Sequence, residues 1–117
     1  MFTLLEICLI IGTHYFADFK FQTHYQATNK SKSNVALGSH VLTYSLTFIP
    51  VALFLLGWWG LVWVILNGAL HFITDYFTSR ISSKKWATQE WHNFFDTIGK
   101  DQVCHYFTLF STYLLFK

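Results

Sequence analysis

Apolar and polar positions are distributed unevenly along this chain. From Ser33 to Thr74, 42 residues pass without a Lys, Arg, Asp or Glu. As one helix that stretch would be about 63 Å long, roughly twice the ~30 Å hydrocarbon core of a bilayer. It divides naturally at "GWWG", Gly57 to Gly60. Two glycines permit a tight turn there, and two tryptophans suit a membrane–water boundary. The pattern therefore predicts one helix over about 35–56 and another over about 58–79. Pro50 falls inside the first, a position that membrane bundles accommodate better than soluble ones. "MFTLLEICLIIGTHYFADF" is apolar apart from Glu6, His14 and Asp18, and predicts a helix over about 2–19. "DQVCHYFTLFSTYLLFK" is apolar beyond His105 and predicts a fourth over about 96–116, begun upstream near Asp96. Polar connections remain at about 20–34 and 80–95. In the second, "KKWATQEWHNFF" mixes charge with Trp and Phe as interfacial segments do. The expected fold class is all-α: one integral membrane domain over 1–117, a four-helix transmembrane bundle.

Composition points the same way. Hydrophobic residues make up 53% of the chain and charged residues only 12%, against about 25% charged in ordinary soluble domains. The N-terminus has neither a basic leader nor a small-residue cleavage site, so its apolar stretch is read as a retained helix. Cys8 and Cys104 sit far apart in apolar surroundings and read as buried packing thiols. Seven of the eight basic residues (Lys20, Lys30, Lys32, Arg80, Lys84, Lys85 and Lys100) belong to the side carrying the two long connections. The positive-inside rule then puts those connections in the cytoplasm and both termini outside. So few basic residues, accounted for by topology, argue against nucleic-acid binding. Membrane lipids are the expected partners, and a bundle this thin invites homo-oligomerisation.

On this topology the ionisable residues converge. His14 and Asp18 lie near the cytoplasmic end of the first helix, and His40 near the start of the second. His71 and Asp75 lie near the end of the third, and Asp101 and His105 near the start of the fourth. In "HYFAD", "HFITD" and "DQVCH" the His and Asp are four apart, so each pair shares a helix face. Ionisable side chains inside a membrane bundle face inward, where they pair, bind an ion or line a pathway. Imidazole nitrogen with carboxylate oxygen suits Zn, Mn or Fe. Seven candidate ligands (His14, Asp18, His40, His71, Asp75, Asp101, His105) exceed one tetrahedral site. They allow two metals, or one metal with a general base and supporting carboxylates. Gln22 continues the His14–Asp18 stripe, and Asn67 the His71–Asp75 stripe, one turn away. Together with Lys30 and Arg80 these are candidate substrate-binding residues. His24 and His92 have no acid partner four residues away and read as surface residues.

The two halves echo each other. "THYFADF" resembles "LHFITDYF", and each is followed by a basic connection and a helix opening with a histidine. The helices would form two hairpins in parallel repeat, with a pseudo-two-fold axis along the membrane normal.

"HYFADFKFQTHYQATNKSKS", the later His40, "HFITDYFTSR" and "DQVCH" resemble the small bacterial and phage membrane proteins classed as domain of unknown function 3307. The resemblance covers almost the whole chain. Its H-x-x-x-D-F-x-x-Q element reads here as His14, Asp18, Phe19 and Gln22. More distantly, the pattern is similar to small inner-membrane metal-dependent hydrolases, which keep His and Asp at helix ends.

Three functions compete, beside di-iron oxidation as a fourth, which in membrane enzymes usually uses more histidine than this chain offers. In a metal-dependent hydrolase, a His/Asp-bound metal would lower the pKa of a water. Asp18 or Asp101 would take its proton, and the basic connections would attract a lipid-like or phosphoester substrate. A non-enzymatic membrane module would use a structural metal or a His–Asp hydrogen-bond network and bind a partner protein. Cation or proton transport would need polar residues on both sides of the membrane, and apart from Glu6 the outer half offers mainly Thr, Ser and Tyr.

Overall fold

The computed structural model describes residues 1–117 and is all-helical. Helix α1, Leu4–Tyr15, is started by a capping box: Glu6 N–H donates to Thr3 Oγ1 at 3.1 Å, and Thr3 N–H donates to Glu6 Oε2 at 2.7 Å. It runs directly into a π-helical turn, Phe16–Lys20, closed by Phe21 N–H donating to Phe16 O at 2.8 Å. A second capping box, Thr23 with Gln26, starts the short α2, His24–Asn29. The Gln26 amide then donates to Ser39 and Thr43 and docks α2 on the next helix.

Helix α3, Asn34–Leu56, runs unbroken through Pro50 and stops at Gly57. The backbone there takes φ +59°, a conformation that costs glycine little. Helix α4, Trp59–Ala87, returns alongside it, and α5, Trp91–Phe116, returns again. The segment 80–95, expected as a connection, is therefore helical except for a turn at 88–90. Its serines and lysines do not break a helix. Termination comes instead from Gln89, the one non-glycine residue with positive φ (57°). Gln89 N–H donates to Trp86 O and Glu90 N–H to Lys85 O, which is a Schellman ending.

The helices run up and down, with α4 central between α3 and α5, and α1 packed on α3. Both chain ends and the Gly57–Gly60 turn share one end: Lys117 donates to Met1 O and to Glu6 Oε2, and the Trp59 ring stacks on Phe116. The interior of this half is apolar, built from Ile10, Phe48, Trp63, Leu109 and Tyr113. The connections and most basic residues lie at the other end, and there the interior turns polar. Eleven buried residues are polar or charged, as many as are buried and apolar. Meanwhile Phe54, Ile65, Phe107 and Leu115 are exposed to 70% or more. An interior this polar behind an exterior this apolar inverts the usual soluble arrangement.

Two helices, α3 and α4, are long and apolar enough to cross a membrane. The four spans expected from sequence are thus reduced to two that meet length and composition. Helix α1 has 12 residues before the π turn, short of the ~20 a span needs. Helix α5 is long enough at 26 residues, but Lys100, Asp101, Gln102 and His105 dilute its apolar run. Cys8 and Cys104, expected to be buried, are exposed on helix surfaces among apolar neighbours.

The α3–α4 hairpin depends on one close approach. A Cβ added to Gly60 would fall 2.2 Å from Ala52 O and 2.4 Å from Ala52 C, whereas one added to Gly12 would meet nothing within 4 Å. Gly60→Ala is therefore expected to destabilise the fold by roughly 1–3 kcal/mol, the usual penalty for overpacking. Gly12→Ala should be neutral or slightly stabilising. Thermal unfolding of the two variants in detergent, followed by circular dichroism, checks this.

Candidate metal centre

The buried stripe of α4 passes from Gly60 and Val64 through Asn67 and His71 to Asp75 and Ser79, one residue every three or four. It crosses from the apolar half into the polar half between Asn67 and His71. Around His71 and Asp75 gather His14 and Asp18 from α1 and the π turn, His40 from α3, and Asp101 and His105 from α5. All seven are buried. The π turn bears on this directly. It widens the backbone at Asp18, and turns of this kind recur at functional sites.

The contacts are short and mutual. His40 Nε2 lies 3.0 Å from Asp18 Oδ1, 3.1 Å from His71 Nε2 and 3.3 Å from Asp75 Oδ2. His71 Nε2 lies 3.3 Å from Asp18 Oδ1 and 3.4 Å from Asp75 Oδ2. On the other side, His105 Nε2 is 3.0 Å from Asp75 Oδ1 and 3.2 Å from Asp101 Oδ2. His14 Nε2 is 3.6 Å from Asp18 Oδ2. Aromatic rings fix the imidazoles from behind: Tyr44 stacks on His71 at 3.9 Å, and His71 on His105 at 4.0 Å. The Nδ1 atoms of His14, His40, His71 and His105 have no hydrogen-bond partner, so the polar contacts of the last three all converge through Nε2.

Two groupings have the makings of a metal site: Asp18, His40, His71 and Asp75; and Asp18, Asp101 and His105. The first can be tested for fit. Ligands held about 2.0–2.1 Å from one tetrahedral ion lie ~3.3 Å from each other. Five of the six separations among its donor atoms fall between 3.0 and 3.4 Å. Two imidazole nitrogens 3.1 Å apart, each also facing carboxylate oxygens, suit a shared cation better than a hydrogen bond between rings. Charge leaves room for such a cation. Three carboxylates are buried together, and the only lysine or arginine in contact with them is Lys30, whose Nζ donates to Asp75 Oδ2 at 3.0 Å. Burial opposes the charge on Lys30, but Asp75 and Asp18 outweigh it and hold the ammonium above the ordinary lysine range. The remaining negative charge is offset either by protonation of the imidazoles around it or by a bound cation.

The remaining candidates separate. Gln22 and Lys30 border a cavity of about 500 Å³ that opens beside Asp18 and Asp101 at the basic end. Asn67 lies outside it: its amide donates to Trp63 O and Thr112 Oγ1, in the apolar half. Arg80 is also elsewhere, stacked on the Tyr76 ring and donating to Tyr76 O and Asn34 Oδ1. His24 and His92 are exposed. Sequence reading assigned no role to Gln102, which donates to Asp18 Oδ2 at 3.2 Å and to Asp101 Oδ2 at 3.0 Å. Nor did it single out Thr78, whose hydroxyl donates to Asp101 Oδ1. The D-Q dipeptide of "DQVCH" carried a signal for the first. Thr78 lies one turn before Ser82 on α4 and looks like any helix threonine until α5 is in place.

Asn67 and the cluster should therefore respond differently. Asn67→Ala is expected to cost roughly 1 kcal/mol through its lost hydrogen bonds and to leave divalent-cation uptake unchanged. Asp75→Asn should abolish uptake. Thermal unfolding and titration calorimetry on the same preparations separate the two effects.

No curated protein matches the chain, and no solved structure does. A family model described as "Protein of unknown function (DUF3307)" matches residues 5–117, the stretch that contributes every residue of the cluster. The chain belongs to that family.

Proposed function

We propose that this protein is a membrane-embedded, metal-dependent hydrolase acting on a lipid-like phosphoester at the membrane face that carries the basic connections. The observation that carries this reading is the convergence of His40, His71, Asp18 and Asp75 at 3.0–3.4 Å, beside a cavity bordered by Lys30 and Lys32. A divalent Zn, Mn or Fe held there would polarise a phosphoryl oxygen and lower the pKa of a water.

The chain's own residues supply the rest. Asp101 borders the cavity and is fixed by Thr78 and Gln102, so it is placed to accept a proton from a water at the cavity wall. Lys32, Ser82, Ser83 and Gln22 offer donors to phosphate oxygens around the same opening. The exposed apolar surfaces of α3 and α4 keep the cavity at headgroup depth, where a substrate with an acyl or isoprenoid tail presents its phosphate. The positive-inside rule assigns that face to the cytoplasm.

A structural His–Asp network is the competing reading. The contact between His105 Nε2 and Asp75 Oδ1 at 3.0 Å favours it, since that pair closes without an ion.

Elemental analysis of detergent-purified protein, wild type beside a His71→Ala, His105→Ala double variant, decides between them. The hydrolase reading expects Zn, Mn or Fe near stoichiometry in the wild type and its loss in the variant. It also expects release of phosphate from a lipid phosphate in mixed micelles, suppressed at least ~100-fold by a chelator and restored by the metal. Folded wild type that carries no metal and takes none up would leave the His–Asp network as the correct reading.

A further inference from the structure

The two carboxylates at the centre of the cluster divide their oxygens. Asp18 Oδ1 faces His40 and His71 at 3.0 and 3.3 Å, while Asp18 Oδ2 faces His14 at 3.6 Å and His105 at 4.0 Å. Asp75 does the same in reverse: Oδ2 faces His40 and His71 at 3.3 and 3.4 Å, and Oδ1 faces His105 at 3.0 Å. Each carboxylate thus borders two donor pockets. One contains His40 and His71. The other contains His14, His105 and Asp101.

This division follows the internal repeat. His14 and Asp18 in the first half correspond to His71 and Asp75 in the second, and His40 corresponds to His105. Each pocket then holds one histidine from each half and one oxygen from each shared aspartate. A pseudo-two-fold axis passing between Asp18 and Asp75 would exchange the pockets.

We infer that the cluster holds two divalent cations, bridged by Asp18 and Asp75, with His14, His105 and Asp101 completing the second site. His14 is the independent pointer. It is fully buried, neither of its ring nitrogens has a hydrogen-bond partner, and its Nε2 is aimed at Asp18 Oδ2. An imidazole buried without a partner is destabilising unless a ligand takes its lone pair.

The pockets are not equal. Four residues before His105 stands Asp101; four before His40 stands Ala36. Lys30 approaches the first pocket through Asp75 Oδ2, and no lysine or arginine approaches the second. The second pocket is the more anionic, and it borders the cavity through Asp101. Paired divalent cations joined by carboxylates clamp the oxygens of a phosphoryl group undergoing in-line displacement. The lysines that border the cavity, Lys30 and Lys32, make a phosphate ester or anhydride the fitting substrate class.

The inference rests on the metal-centre reading above, and its test separates the two. Apo-protein in detergent is loaded with Mn(II), desalted and measured for metal content and by electron paramagnetic resonance. The expected result is two Mn per chain and an exchange-coupled spectrum, because the ions share carboxylates. His14→Ala is expected to lose about half the metal and to show the isolated-ion spectrum. Asp101→Asn serves the same purpose if His14→Ala does not fold. One Mn per chain with an isolated-ion spectrum in the wild type would overturn the paired centre and leave a single-metal enzyme standing. No Mn at all in folded protein would overturn both. Full metal content in folded His14→Ala and Asp101→Asn would overturn the assignment of these ligands.

Discussion

The arrangement of this protein depends on the need to give buried carboxylates partners where little water reaches. Asp18, Asp75 and Asp101 come from three different segments, and each has one imidazole four residues away on its own face. The shorter contacts of Asp18 and Asp75 are to imidazoles on neighbouring helices, so the helices must come together at one depth and in one rotation. A slip of one residue in any of them would carry a histidine or an aspartate off the common face. The apolar half, with Trp63 anchored on Thr112 and Phe48 packed edge-on against it, sets the spacing between α3, α4 and α5. The polar half uses that spacing to hold seven ionisable side chains in contact.

Much of this was legible in the chain. The i, i+4 spacing of His71 with Asp75 and of Asp101 with His105 put each pair on one face, because helices have a fixed period. The turn at Gly57 to Gly60 was legible because glycine and tryptophan carry local signals. The extent of α4 was not. "SSKKWA" has the composition of a connection, and its helicity comes from continuation of α4 and the Schellman ending at Gln89. The π turn was hidden as well, since nothing in "FADFK" distinguishes an i→i+5 bond from an i→i+4 bond before α3 and α5 are packed against it. The same holds for the role of Gln102, which depends on contact with Asp18 across 84 residues of chain. Asn67 continues the same stripe, yet the stripe crosses from the polar to the apolar half between Asn67 and His71, and periodicity has no way to mark that boundary.

On the proposed repeat, short motifs carry far. When two halves meet about an axis, a residue near that axis meets its own counterpart, and one copy of a motif specifies half of a site. The departures from symmetry are then the informative positions. Asp101 against Ala36 gives one side an extra carboxylate. Lys30 gives the other side a cation, carried on a connection rather than on a long helix.

That lysine has a consequence for how the centre comes to be filled. Its ammonium sits against the buried carboxylates, and it reaches Asp75 from the connection that follows α2. On the metal-centre reading, loading the adjoining pocket is an exchange of one cation for another, not the filling of a vacant hole. The newly synthesised chain can fold around its carboxylates with Lys30 as a placeholder and surrender that position later. On that reading, folding and acquisition of an ion become separate events.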